Sequence, residues 1–145
     1  MDKPIVAKVS TTIEAPVSRV WDALVSPEAI KHYMFGATVV SDWREGSPIS
    51  WKGEWKGKPY EDKGVILRAV PGRLLRYSHY SPRYGQRDLS ESHTVTIELD
   101  DQAGRTLATL TQDNNPSEDA RAHSEKNWRA MLDGLKQLLE QDRGH

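Results

Sequence analysis

Apolar and polar residues alternate at the start of the chain, with Ile5, Ala7, Val9, Thr11 and Ile13 on one side and Lys8, Ser10, Thr12 and Glu14 on the other. A period of two predicts a half-buried strand over 5–13. The period changes at Ala15-Pro16. Val17, Val20, Trp21 and Leu24 then recur at spacings of three and four, the stripe of a short helix with Pro16 in its first turn. Ser26-Pro27-Glu28 opens a second short helix with a capping hydroxyl, a proline suited to the first turn and a carboxylate at the positive helix end. Its apolar face is Ile30, Tyr33 and Met34.

From Ala37 to about Asp113 the pattern is β throughout, and strands are predicted over 37–43, 48–55, 59–70, 73–81, 91–100 and 105–113. Turn signals at Glu45-Gly46-Ser47-Pro48, Lys56-Gly57-Lys58-Pro59, Pro71-Gly72 and Asp100 to Gly104 leave loops short enough for an antiparallel meander. The longer polar segment 81–92, with Tyr84 as its aromatic, is the candidate for a loop that covers a site. Asn115-Pro116-Ser117-Glu118 offers a capping Asn, a first-turn Pro and a Glu at the third position. A helix then runs to about Gln141 on a stripe of Trp128, Met131, Leu132, Leu135, Leu138 and Leu139. Some 25 residues give roughly 37 Å of helix. The order is β-α-α-β6-α, an α+β chain. A single antiparallel sheet has one face to bury, and the terminal helix is the element long enough to cover it.

A length of 145 residues is one domain, 1–145. The balance of 20 Lys+Arg against 21 Asp+Glu leaves a formal charge of −1 with signs interspersed, which argues against nucleic-acid binding and against a membrane surface. With no Cys there is no disulfide framework, thiolate metal site or Cys nucleophile. The start lacks the apolar core of a signal peptide and no apolar run approaches membrane-spanning length, so a cytoplasmic location is expected. Nothing matches a G-x-G-x-x-G, G-K-[ST] or G-x-S-x-G motif, which leaves nucleotide-dependent and serine-hydrolase chemistry unsupported.

What stands out is tryptophan, with four of the five (Trp21, Trp43, Trp51 and Trp55) in the first 55 residues. Trp21 and Trp128 sit on helical stripes and read as core. Ile49, Trp51, Gly53 and Trp55 share one strand face, where two indoles and a glycine either line a flat pocket or fill the core beneath the helix. Trp43, flanked by the solvated charges Asp42, Arg44 and Glu45, joins the candidate wall. If Leu75 packs inward, so do Tyr77 and His79, with Arg76, Ser78 and Tyr80 outward. A Tyr and a His two apart can hold a ligand oxygen or exchange a proton. No carboxylate stands at a spacing that would orient His79, which ranks binding ahead of catalysis. His93, Gln112, His123 and Asn127 complete the candidates, from the sixth strand, the last strand and the polar start of the long helix. His32, His79, His93 and His123 show no metal-ligand spacing, so neither a metal nor a cofactor is expected.

Several of these stretches resemble a known family. Ile13-Glu14-Ala15-Pro16 leading to Val20-Trp21-Asp22-Ala23-Leu24, then Ser26-Pro27-Glu28, Trp43-Arg44-Glu45-Gly46, Gly64, Val70-Pro71-Gly72-Arg73-Leu74 and Trp128 to Leu135 look like the START-related helix-grip (SRPBCC) superfamily. Within it they are most similar to the AHSA-type branch, named for the activator of the heat-shock chaperone ATPase. The resemblance implies a curved sheet gripping a long C-terminal helix, with an internal cavity between them. It departs from the pattern at Gly46-Ser47-Pro48, where paired glycines are common, at His79, often an aromatic, and at Gln112, often a His. These positions vary with ligand. The implied functions are non-covalent binding of a small hydrophobic or lipid-like ligand, activation of a heat-shock chaperone ATPase as part of a stress response, or polyketide cyclase/hydratase-like catalysis. Eukaryotic activators carry a further N-terminal chaperone-binding domain, which is not expected here because the pattern starts directly with the first strand. An exposed edge strand would allow a dimer.

Overall fold

A computed structural model of the chain describes residues 5–34, 36–55, 57–79, 93–113, 115 and 117–141. In chain order it consists of β1 (Ala7–Ile13), α1 (Val17–Leu24), α2 (Pro27–Tyr33), β2 (Thr38–Val40), β3 (Pro48–Trp55), β4 (Lys58–Val70), β5 (Leu74–His79), β6 (His93–Gln102), β7 (Arg105–Gln112) and α3 (Glu118–Gln141). The strands form one curved, open antiparallel sheet in the order β1-β7-β6-β5-β4-β3-β2. Each strand from β2 to β7 lies beside its sequence neighbour, as the short turns require, and β1 closes the far side against β7.

The inward residues of the sheet, among them Val9, Ile13, Ile49, Ile66, Leu75, Val95, Ile97 and Leu110, form one core with Met131, Leu132, Leu135 and Leu139 of α3. Both short helices feed the same core through Val20, Leu24, Ile30 and Tyr33. Ser26 caps α2 as predicted, accepting from the Ala29 amide at 3.3 Å. The cap of α3 differs from expectation. Ser117 accepts from the Ala120 amide at 3.1 Å, while Asn115 turns away to bond the Ile5 and Gln112 carbonyls at 2.9 and 3.0 Å. Asn115 therefore ties the start of β1 to the end of β7, because a buried amide (6 % exposed) gains more from two buried carbonyls than from one helix amide.

The edge at β1 is occupied. Glu125 and Glu140 of α3 accept the Lys8 and Glu14 amides, both at 3.0 Å, and Lys136 donates to the Thr12 carbonyl at 2.7 Å. The Lys8 amide, ahead of Arg121, holds the Glu125 carboxyl below its ordinary value. Charged side chains on the free backbone groups of an edge strand block pairing with another chain.

One strand boundary and one side-chain orientation also differ from expectation. The strand predicted over 37–43 spans only Thr38–Val40, and the chain beyond it turns through a left-handed backbone at Trp43 (φ 62°). Ser78, expected outward and polar, is 8 % exposed and accepts the Val65 amide at 2.9 Å. There β4 and β5 approach so closely that a Cβ on Gly64 would lie 1.7 Å from the Ser78 carbonyl oxygen. Gly64→Ala is expected to destabilise the fold by about 3 kcal/mol or more. Urea denaturation checks this, and a loss below about 1 kcal/mol would contradict the close approach.

Candidate functional site

Inward alternation on β3, β4 and β5 converges on one cluster. Ile49 and Trp51 face inward from β3, and Asp62, Gly64 and Ile66 are buried on β4, with Trp51 opposite Asp62 and Ile49 opposite Gly64 in the register. Tyr77 and His79 follow on β5. The Trp51 ring lies 5.2 Å from Tyr77 at 46° and 5.0 Å from His79 at 67°, both within the range of favourable aromatic pairs. Trp51 is thus half pocket wall and half core: it is 5 % exposed and covers the imidazole edge.

His79 is held by a carboxylate after all. Its Nε2 donates to Asp62 Oδ2 at 3.1 Å, and Asp62 is only 4 % exposed. A carboxylate this deep requires a donor, and the imidazole is one. The expectation that nothing orients His79 is therefore corrected. Asp62 lies 17 residues away on the neighbouring strand, a relation that no sequence spacing shows, although a lone Asp at an inward position of β4 was a signal in the alternation itself.

Beneath Trp51 is a hollow of about 20 Å³, room for one water molecule, between Trp43, Ile49 and Trp51 on one side and Leu75, Tyr77 and Met131 on the other. Tyr77 has no hydrogen bond to a described residue, whereas the Tyr33 hydroxyl, which also lines the hollow, donates to the Ala23 carbonyl at 2.8 Å. Burial raises the pKa of both phenols, with the Tyr77 charge adding to the effect at Tyr33. A wider groove of about 600 Å³ on β2, β3 and β4 is lined by Ser50, Glu61, Lys63 and Val65 and includes none of the candidate residues.

The remaining candidates divide. His93 stands directly opposite His79 in the β5–β6 register, its Nδ1–H donating to the Asp113 carbonyl at 2.9 Å, so it belongs to the margin of the cluster. Gln112 does not. It lies two strands from Tyr77, across Val95, and its side chain accepts from Trp128 Nε1 and donates to Asn115 and Ser124 at 3.3 and 3.4 Å. This network clasps β7 to α3. His123 and Asn127 are exposed on α3. The Trp55 side chain and Tyr84, with the covering segment 81–92, lie outside the described residues. Among the described residues no three metal-ligating side chains gather, and no helix is long and apolar enough to cross a membrane.

Trp43 enters the hollow from a strained backbone. Its amide donates to Ser41 Oγ and the Arg44 amide to Asp42 Oδ1, both at 3.1 Å, a turn that fixes the left-handed residue between them. The Asp42 carboxyl is held below its ordinary value by Ser47 first and the Arg44 amide second. A bulky side chain at positive φ costs about 1–3 kcal/mol, which indole burial against the core must offset.

A family model described as Activator of Hsp90 ATPase homolog 1-like protein matches residues 14–140. The solution structure of ChR145 from Cytophaga hutchinsonii is 53 % identical, with 100 % of each chain covered and a TM-score of 0.87. At lower identity, the Aha1 dimer from Colwellia psychrerythraea is 20 % identical over 94 % of this chain and 96 % of that one, with a TM-score of 0.76. CalU16 from Micromonospora echinospora is 22 % identical over 94 % and 82 %, with a TM-score of 0.71. The last two share the fold. No curated protein matches the chain.

Two measurements probe the geometry. Trp43→Gly keeps the left-handed backbone without strain and Trp43→Ala does not, so the Gly variant is expected to be the more stable by about 1 kcal/mol in urea; the reverse order would refute strain at this residue. The raised tyrosine pKa values set an alkaline limit. Their stabilisation is fully present below the ordinary value of 10.0 and is lost as pH rises above it, because the unfolded chain ionises first. Each phenol contributes a slope of about 1.4 kcal/mol per pH unit. Tyr77→Phe is expected to flatten the fall in stability above pH 10 by that amount, and an unchanged slope would show that Tyr77 ionises freely in the fold.

Proposed function

Since the chain belongs to the Activator of Hsp90 ATPase homolog 1-like family, we propose that it binds a small, flat, apolar ligand with one hydrogen-bonding oxygen in the hollow beneath Trp51. The observation that carries this reading is the pairing of an aromatic wall with polar groups held in place beside it. Trp43, Trp51 and Tyr77 supply apolar surface. Asp62 orients His79, whose Nδ1 has no partner among the described residues, and Tyr77 and His79 both lie against the Trp51 ring. Ligand sites commonly combine a mostly apolar lining with a few placed polar groups in this way. Binding would be non-covalent, by burial of apolar surface and one or two hydrogen bonds. At about 20 Å³ the hollow admits no such ligand as it stands, so binding requires Trp43, Trp51 or their strands to give way.

A second reading, activation of a heat-shock chaperone ATPase, is supported by the family description and by the Aha1 name of one structural neighbour. The two readings part in one pair of assays. Small aromatic and lipid-like compounds are screened by melting temperature and Trp emission, and a ligand at a hundredfold excess over its Kd is expected to add about 2.7 kcal/mol of stability. For a domain of this size that is a rise of roughly 5–10 °C. If no compound class moves either signal and the chain instead raises ATP hydrolysis by a heat-shock chaperone, the ligand reading fails and the second replaces it.

A further inference from the structure

One buried polar group stands apart. Asp62, Ser78, Thr106, Gln112 and Asn115 are each buried and each hydrogen-bonded. Tyr77 is buried as deeply, at 4 % exposed, and its hydroxyl bonds to no described residue. A buried hydroxyl without a partner is uncommon, because it gives up water and gains nothing in exchange. Among the described residues no side-chain nitrogen or oxygen is sealed off without a partner. The Tyr77 oxygen therefore opens onto space, and the space that Tyr77 lines is the hollow of about 20 Å³.

The hollow has a second phenol. Tyr33 also lines it, and its hydroxyl donates to the Ala23 carbonyl at 2.8 Å. A hydroxyl has one hydrogen and two lone pairs, so Tyr33 has only acceptor capacity left to offer, whereas Tyr77 can donate. The two lie within electrostatic reach of each other, since charge on Tyr77 raises the Tyr33 pKa. Burial keeps both protonated far above neutral pH. The rest of the lining is aliphatic or thioether, as at Leu24, Leu75 and Met131, apart from the indoles of Trp43 and Trp51, which donate and cannot accept. No charged side chain is among the described residues that line it.

These groups select among ligand oxygens. A carboxylate or phosphate would be buried with no cation against it. A ketone or ether oxygen accepts from Tyr77 and has no proton to give Tyr33. A hydroxyl does both, and at the size of a water molecule it fits the hollow. Resting on the ligand-binding reading above, we propose that the ligand is a neutral planar alcohol or phenol whose hydroxyl seats in the hollow, accepting from Tyr77 and donating to Tyr33. The hollow then measures the ligand's polar head, and its ring alone requires Trp43 or Trp51 to give way.

Two measurements on the full chain test this assignment. The first uses no ligand. At pH 7 Tyr77→Phe removes a hydroxyl that has no partner and is expected to leave the melting temperature unchanged or higher, while Tyr33→Phe, which loses the Ala23 bond, lowers it. If Tyr77→Phe lowers it as far as Tyr33→Phe does, the Tyr77 hydroxyl is already bonded in the free protein. The proposal is then overturned and the ligand-binding reading is untouched. The second is calorimetric titration with naphthol, its methyl ether and naphthoate. Wild type is expected to bind naphthol about tenfold more tightly than the ether, with naphthoate weakest, and Tyr77→Phe to abolish the preference for naphthol over the ether. Equal affinity for naphthol and its ether, tightest binding of naphthoate, or a preference that survives Tyr77→Phe overturns the hydroxyl assignment and leaves a ligand site of other chemistry. Failure of all three to bind, while other compounds in the screen above do, also overturns it. If nothing binds in either experiment, the ligand reading fails and this inference with it.

Discussion

An open sheet with one apolar face must cover that face and protect its edges, and α3 covers the face and the β1 edge. Met131, Leu132, Leu135 and Leu139 cover the face, while Glu125, Lys136 and Glu140 reach the backbone of β1 from the same helix. Removing α3 would expose the core and unpair an edge at once, so the sheet and the helix are one cooperative unit. The polar clasp of Gln112, Asn115, Ser124 and Trp128 belongs to this arrangement, holding the first turns of α3 against β7 with its buried amides satisfied.

At the other side of the sheet Trp51, Tyr77 and His79 meet. A left-handed Trp43 lines the hollow, and β4, beside Trp51, carries a bulge at 66–68 and a buried Asp62. Each departs from what stability alone would select. Their gathering in one region, while the β1–β7–β6 half is regular throughout, is the physical ground for placing function there.

Most of the architecture was legible along the chain. Alternation at 5–13, the change of period at Pro16, the Ser26-Pro27 start and the Leu stripe of α3 are local properties, and each element formed where its period predicted. The inward set Leu75, Tyr77 and His79 was legible for the same reason. What could not be read depended on partners distant in sequence. Asp62 meets His79 only because β4 lies beside β5 in one particular register. Gln112 faces Trp128 because α3 returns over β7. Asn115 has a capping residue's chemistry but found two carbonyls brought to it by β1 and β7, and Ser117 took its place at the helix end.

The amino-acid sequence by itself thus determined the elements, their order and the inward residues of β1, Ile49 and Trp51 on β3 and Leu75 and Tyr77 on β5, because hydrophobic period and turn chemistry act over a few residues. Only the tertiary structure decided which polar side chains meet and how much space remains inside. Those depend on strand register and on the depth to which α3 packs, and neither quantity is recorded in any local stretch of chain. A hollow of about 20 Å³ in place of an open cavity, and a histidine with a carboxylate in place of one without, are both consequences of that packing.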